Sequence, residues 1–265
     1  MKLVLLGSSG FSTPVFEFLF RQQYDIVGVY TRTPKPVGRK RILTPTPVDA
    51  WAATHGLPVH YSIRDFDPKG AEYAVVMSYG VIIPDDVLKK CKFVNVHPSD
   101  LPKYRGPAPI REMLKNGDTR SAVCLIDTVH EPDAGDVFIR EPFNVDVNDT
   151  NETIQDKVSE IAIRLLLEYL SRPEMHPPVP QIGTPVVTQK ISSNDVEVDP
   201  LADRMRLHNV VRAYGFARTK IAGHEVKVLK THVDEKTGNV NILELQLPGK
   251  KPIAWKDFQN GYLRP

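Results

Sequence analysis

Hydrophobic positions along the chain fall into two rhythms. Short continuous apolar runs at Lys2–Leu6, Asp25–Tyr30, Tyr73–Ser78, Phe93–His97 and Ala122–Thr128 are separated by stretches with helical spacing. Runs of four to seven apolar residues suit strands covered on both faces, and their alternation with helices predicts a doubly wound, mostly parallel α/β sheet. Helices are expected from Gly10 to Phe20, over Val48–His55 and over Ala108–Asn116, with a further short strand after Gly56-Leu57-Pro58. The clearest helix lies between Asp149 and Leu170, where Ile154, Val158, Ile161 and Leu165 repeat at helical spacing and Asp149 with Glu152 forms a capping-box-like start.

Beyond this helix the rhythm changes. Ser171 to Pro185 holds five prolines among few apolar residues, as expected of an extended linker in polyproline-like conformation. We therefore expect a first domain over 1–188, its linker spanning 171–188, and a small second domain over 189–265. In the latter, Asp199-Pro200 opens a helix to Tyr214, with Pro200 at the first helical position. Thr219–Ile221 and Glu225–Val233 flank a hairpin-like Gly223-His224, and Val240–Leu247 alternates before Pro248-Gly249, so a small barrel is expected.

Composition narrows the class. At 265 residues, 41% hydrophobic and 25% charged, the chain reads as a soluble protein of two domains. No apolar run approaches membrane-spanning length, and the N-terminus reads as a first strand and not as a signal peptide, so a cytoplasmic location is expected. Cys91 and Cys124 have neither disulfide-framework nor zinc-ligand spacing. Charge is divided unevenly: residues 1–188 carry 21 Lys+Arg against 23 Asp+Glu, and residues 189–265 carry 13 against 9, which hints at a polyanionic partner.

The chemistry concentrates in Phe93–Gly106, where an apolar strand runs directly into a proline-punctuated loop. Asn95 and His97 are two apart and so project to one face at the carboxyl end of the strand, the position where open α/β sheets bind ligands. Pro98 and Pro102 oblige the chain to leave the sheet at once. Other chemistries are weakly supported. Gly7-Ser8-Ser9-Gly10 lacks the full dinucleotide fingerprint and is expected instead to bring backbone N–H groups near a polar or anionic ligand. His97, His130, Asp133 and Asp136 show no dense metal-binding spacing, and Ser99 has no nucleophile elbow.

Asn95-x-His97 followed by Ser99-Asp100-Leu101-Pro102 and Arg105-Gly106, with Asp133-Ala134-Gly135 downstream, resembles the formyltransferase family that uses 10-formyltetrahydrofolate. The resemblance implies a Rossmann-like catalytic domain and a catalytic triad of Asn95, His97 and Asp133. It implies folate contacts at Tyr79, Gly80, Val81, Ile82 and Ile83 and at Ser99, Asp100, Leu101 and Pro102. Where the family usually has Leu, this chain has Asp100. Thr31–Arg41 carries Arg32, Lys35, Arg39, Lys40 and Arg41 with no acid and is broken by Pro34, Pro36 and Gly38. With Pro45-Thr46-Pro47-Val48 it looks like the branch acting on methionyl-tRNA, in which this loop engages the acceptor end and the C-terminal part is an OB-like, RNA-contacting barrel, here abbreviated.

Formyl transfer to an amine passes through a tetrahedral oxyanion. Asn95 suits its stabilisation and His97 suits proton transfer, while Asp133 either orients the imidazole or orders a proton-shuttling water. The expectation is thus a metal-free formyltransferase of translation initiation, with methionyl-tRNA and folate as partners, monomeric and off the membrane. A nucleotide-sugar N-formyltransferase or a non-catalytic tRNA-binding module are the rival readings.

Overall fold

The computed structural model describes all residues except 39, 191, 200–202 and 264–265. Two compact units emerge, one of residues 1–107, 122–142 and 156–187, the other of 108–121, 143–155 and 188–265.

In chain order the elements begin with β1 (Lys2–Leu6), α1 (Thr13–Arg21), β2 (Asp25–Tyr30), β3 (Lys35–Val37), β4 (Ile42–Thr44), α2 (Pro47–Thr54), β5 (Val59–His60), β6 (Tyr73–Val76) and α3 (Asp85–Leu88). They continue with β7 (Lys92–His97), α4 (Pro109–Asn116), β8 (Arg120–Asp127), β9 (Val137–Asn144) and α5 (Asn151–Ser171). The remainder is α6 (Arg204–Tyr214), β10 (Ala217–Ile221), β11 (His224–Val233), β12 (Val240–Gln246), β13 (Ile253–Ala254) and α7 (Trp255–Tyr262).

The apolar runs form a seven-stranded sheet in the order β5-β2-β1-β6-β7-β8-β9. β5, β2, β1, β6 and β7 are parallel, whereas β8 runs antiparallel to β7. Chain order reverses between β1 and β6, which opens a crevice at the carboxyl ends of the parallel strands. There Ser8 Oγ donates to the Tyr79 carbonyl at 2.9 Å and Ser12 Oγ to the Met77 carbonyl at 2.6 Å, tying the Gly7–Ser12 turn to the chain leaving β6. The core beside β1 and β6 gathers Val4, Leu6, Tyr30, Phe66, Val76, Tyr79 and Phe93.

Local chemistry fixes the ends of several helices. Thr46 Oγ1 accepts from the Asp49 N–H and Pro47 takes the first turn of α2, while Gly117 ends α4 in the left-handed conformation at φ 73°. The start of α5 differs from expectation. Thr150 and Thr153 exchange hydroxyl and N–H bonds, whereas Asp149 accepts from the Asp146 N–H and the Thr153 hydroxyl. A threonine hydroxyl one residue later reaches the first turn equally well, so Asp149 serves the preceding loop. The expected α6 start at Pro200 lies outside the described residues; α6 itself is capped by Asp203, which accepts from the Arg206 N–H at 2.9 Å.

Thr31–Arg41, read from sequence as an irregular loop, instead opens a two-stranded hairpin of β3 and β4. Pro36 is tolerated because a strand of an isolated ladder has an open edge.

The second unit carries a four-stranded antiparallel sheet, β10-β11-β12-β13. Ala222 and Gly223 both have positive φ, 49° and 81°, as a two-residue hairpin turn requires. Its core comprises Leu207, Val210, Val211, Ala217, Val226, Val228, Leu245 and Phe258. Arg212, also in α6, is buried, 5% exposed. Its guanidinium donates to Asn209 Oδ1 and to the carbonyls of Asp146, Asp149 and Leu114. The donors of one rigid fork thus satisfy three backbone carbonyls from two segments at once.

Candidate active site

β7 delivers Asn95 and His97 to the carboxyl edge of the sheet, and the chain after β8 folds back so that Asp133 meets both. Asn95 Nδ2 donates to Asp133 Oδ1 at 2.9 Å, the Gly106 N–H donates to Asp133 Oδ2 at 2.8 Å, and His97 Nδ1 stands 3.4 Å from Asp133 Oδ1. The His97 Nε2–H donates to the Tyr104 carbonyl at 3.0 Å; a carbonyl only accepts, so this nitrogen carries a proton. His97 is 3% exposed. Burial alone would raise the Asp133 carboxyl. When the ring is protonated, the His97 charge, with hydrogen bonds from His97, Gly106 and Asn95, outweighs burial and holds the group below the usual carboxylate range.

The backbone on which these groups sit is tightly constrained. Asp133 and Tyr104 adopt positive φ, 55° and 64°, at a cost of about 1–2 kcal/mol each for a non-glycine residue. Gly135 has no room for a side chain, since a Cβ there would lie 1.9 Å from the Asp127 carbonyl oxygen. The Asp-x-Gly pattern therefore has a steric basis: the glycine lets the loop close on β8, where the Asp127 N–H donates to the Asp136 carbonyl at 2.8 Å.

Two groups enter that the sequence did not single out. Gln181, in the proline-rich stretch, donates from Nε2 to the carbonyls of Asp133 and Gly135, each at 2.8 Å. Arg105, quoted as part of the signature but assigned no role, donates from Nε and Nη2 to Gln181 Oε1 at 3.0 and 2.8 Å and from Nη1 to Glu131. The proline content that signalled a linker hid these contacts. Val179 and Val137 exchange both backbone bonds, and the Arg105 N–H donates to the Val186 carbonyl, so the stretch packs along the first unit.

The expected folate-contacting residues divide by side-chain direction. Tyr79 is 3% and Ile83 5% exposed, both in the core, and burial pushes the Tyr79 phenol up to about 12. Val81 and Ile82 are exposed beside Gly80. Ser99 and Leu101 are fully buried: Ser99 Oγ donates to the Lys103 carbonyl at 2.6 Å, and Leu101 packs with Ala122, Cys124, Ile126 and Val137. Their side chains build the loop, and a hydroxyl engaged in this way is no nucleophile. The Leu101–Pro102 peptide is cis. Asp100 turns outward to Arg140, whose Nη1 donates to its carboxylate at 2.7 Å while Nη2 donates to the Leu101 carbonyl. An acid is accommodated at this signature position because β9 supplies its counter-ion.

Of the expected RNA-contacting residues, Arg32 follows β2, its N–H donating to Ser8 Oγ at 3.2 Å, with its guanidinium 3.9 Å from where a Gly80 side chain would begin. Lys35, Lys40 and Arg41 are exposed on the β3–β4 hairpin. Arg39 lies outside the described residues. His130, weighed as a metal ligand, sits apart from the triad at 3.3 Å from Asp85, and among the described residues no group of three His, Cys, Asp or Glu side chains could hold a metal. No described helix is long and apolar enough to cross a membrane.

The formyl transferase family profile matches residues 1–170. The chain is 31% identical to a methionyl-tRNA formyltransferase of Thermosipho africanus, over 99% of this chain and 97% of that one. Among solved structures it is similar in fold to methionyl-tRNA formyltransferase from Clostridium thermocellum, with TM-score 0.67 and 15% identity over 93% and 98% of the two chains. A comparable likeness, TM-score 0.66 and 17% identity over 96% and 98%, holds with an N-formyltransferase from Helicobacter canadensis in complex with folinic acid and dTDP-3-aminofucose. With its profile match across well over half its length and a near full-length relative, the chain belongs to the formyl transferase family.

Proposed function

We propose that the protein transfers the formyl group of 10-formyltetrahydrofolate to the amino group of methionyl-tRNA, with Asn95, His97 and Asp133 as its catalytic group. The observation that carries the chemistry is the convergence on Asp133 of the Asn95 amide, the Gly106 N–H and the His97 ring at the carboxyl edge of β7. Similarity to the Thermosipho africanus protein, which extends through the second unit, favours methionyl-tRNA as acceptor.

Asn95 has two N–H donors on Nδ2. Asp133 takes one and thereby fixes the amide plane, which leaves the other for the oxyanion that develops as the amine attacks the formyl carbon. With Nε2 protonated against Tyr104, Nδ1 of His97 is the atom that takes the proton shed by the attacking amine, and the adjacent Asp133 carboxylate stabilises the cation so formed. Collapse of the tetrahedral intermediate breaks the bond to N10 of the folate, and the imidazolium returns its proton to that nitrogen. The folate is assigned to the crevice between the Tyr79–Ile83 segment and the Asp133 loop. Residues 1–188 supply the catalytic machinery, and the hairpin cations together with the basic stretch 189–265 supply RNA contacts.

A nucleotide-sugar acceptor is the second reading, favoured by the Helicobacter canadensis likeness. Purified protein is incubated with 10-formyltetrahydrofolate and, in parallel, methionyl-tRNA or a dTDP-amino sugar, and the formylated product is detected by mass spectrometry. Formylmethionyl-tRNA is the expected product. Formylation of the amino sugar alone would move the assignment to the sugar branch.

A further inference from the structure

We propose that Gln181 and Arg105 form a positioning pair that sets the Asp133 carboxylate for catalysis. This inference rests on the functional reading above. Neither side chain bonds Asp133 Oδ1 or Oδ2; Gln181 holds the backbone that carries them, and Arg105 acts through Gln181 and Glu131.

The Asp133 loop presents two carbonyls, those of residues 133 and 135, toward the same side, and a single primary amide bonds both at 2.8 Å. That amide has two N–H groups, so the pairing uses all of its donors. Its carbonyl oxygen is in turn gripped by Nε and Nη2 of Arg105, a bidentate contact that removes rotational freedom at the end of a flexible side chain. Arg105 is itself held at both ends. Its backbone N–H donates to the Val186 carbonyl, and its Nη1 donates to Glu131, within the same loop. The side chain of Arg105 is 13% exposed, so its bonds to Gln181 form largely away from water, whereas its Glu131 partner is exposed.

Such a clamp has a specific task. Asp133 sits at φ 55°, in the left-handed region that costs a residue with a Cβ, and its two oxygens must address Asn95, His97 and the Gly106 N–H at once. Left to its intrinsic preference, the loop would relax out of the left-handed region and carry the carboxylate with it. Anchoring the carbonyls of 133 and 135 fixes the 133–134 and 135–136 peptides, which bracket Ala134-Gly135. The sequence position of Gln181, 48 residues from Asp133, places the anchor on a chain segment that is otherwise fastened by the Val137–Val179 bonds.

Two substitutions separate positioning from mere packing. Gln181→Glu keeps an oxygen for Arg105 but turns a second oxygen toward the two carbonyls, while Gln181→Met keeps the volume and removes every polar contact. Both are expected to lower kcat about 10–100-fold with KM for folate and acceptor within about threefold of wild type, as for a misplaced reacting group. A second readout needs no turnover: in protein labelled with carboxyl-13C aspartate, the Asp133 resonance, assigned by its loss in Asp133→Asn, titrates at higher pH in both variants than in wild type. Arg105→Lys, which cannot hold Gln181 through two nitrogens, is expected to give a smaller shift in the same direction. A kcat within twofold of wild type in both Gln181 variants, or an unmoved Asp133 titration, overturns the proposal. A wild type inactive on every acceptor would sink the functional reading alone, because the titration still decides the positioning.

Discussion

At the scale of single residues, the proposed chemistry rests on one carboxylate with several partners. Asn95→Ala, His97→Ala and Asp133→Ala are each expected to lower kcat by about 10²–10⁴ while preserving the fold, measured by initial rates and circular dichroism. Because the three act through one hydrogen-bonded cluster, the triple variant should lose far less than the product of the singles. Asp133 also links stability to acid. Its carboxyl is held below the usual range in the folded state, so the unfolded chain takes up the proton first as pH falls. Its contribution is fully present above the unfolded value of about 3.9 and is lost as pH drops through the lower folded value. Urea midpoints of Asp133→Asn and wild type should therefore converge below about pH 4; a constant difference down to pH 2 would refute the linkage.

At the scale of elements, steric and buried polar constraints dominate. Gly135→Ala places a methyl group against the Asp127 carbonyl, and about 1–3 kcal/mol of destabilisation with loss of activity is expected, read from thermal melting and kcat together. In α6, His208 is 2% exposed, donating from Nε2 to the Val147 carbonyl and accepting at Nδ1 from Thr231. That arrangement fits the neutral ring. Burial first, then the Arg212 charge and that of His232, lower its pKa, with the Val147 bond opposing them. Folded protein thus resists protonation, so the stabilising effect is complete above about pH 6.5 and declines as pH falls toward the lower folded value. His208→Gln should flatten the slope of stability against pH between about 5 and 7, followed by urea titration.

At the scale of the whole molecule, charge placement governs the encounter with a polyanion. Lys35, Lys40 and Arg41 stand exposed on one hairpin, and the stretch 189–265 adds 13 cations against 9 acids. Replacing all three hairpin cations with Ala should raise KM for methionyl-tRNA and reduce its log–log salt dependence by about two slope units, since each phosphate contact contributes roughly 0.7–0.9. KM for 10-formyltetrahydrofolate should stay within about twofold, since these residues lie outside the crevice assigned to it. An unchanged salt slope would remove the hairpin from the RNA-binding surface.

Much of this protein was determined by local sequence. Continuous apolar runs set β1, β2, β6, β7 and β8 because a strand covered on both faces needs little beyond apolar residues and a length limit. Two-residue periodicity alone put Asn95 and His97 on one face, and Pro98 ended the strand beside them. Gly117 ends α4 and Thr46 and Asp203 cap α2 and α6 through partners that lie within a turn, although the sequence pattern points to Pro200 as the start of α6 and passes over Asp203. What lay beyond reach depended on partners distant in the chain. β9 runs unbroken through Glu141 and Pro142, which an edge strand tolerates but which mask it in the sequence, and β3 and β4 hid behind prolines that an isolated hairpin tolerates. Asp133 could be placed near His97 only through the motif; the close fit of Gly135 against Asp127 and the bond from Gln181, 48 residues away, lie outside any local pattern. A proline-rich composition fixes local stiffness and says nothing of what the segment lies against. That decision belongs to the tertiary structure, because a hydrogen bond between remote segments leaves no periodic trace in either of them.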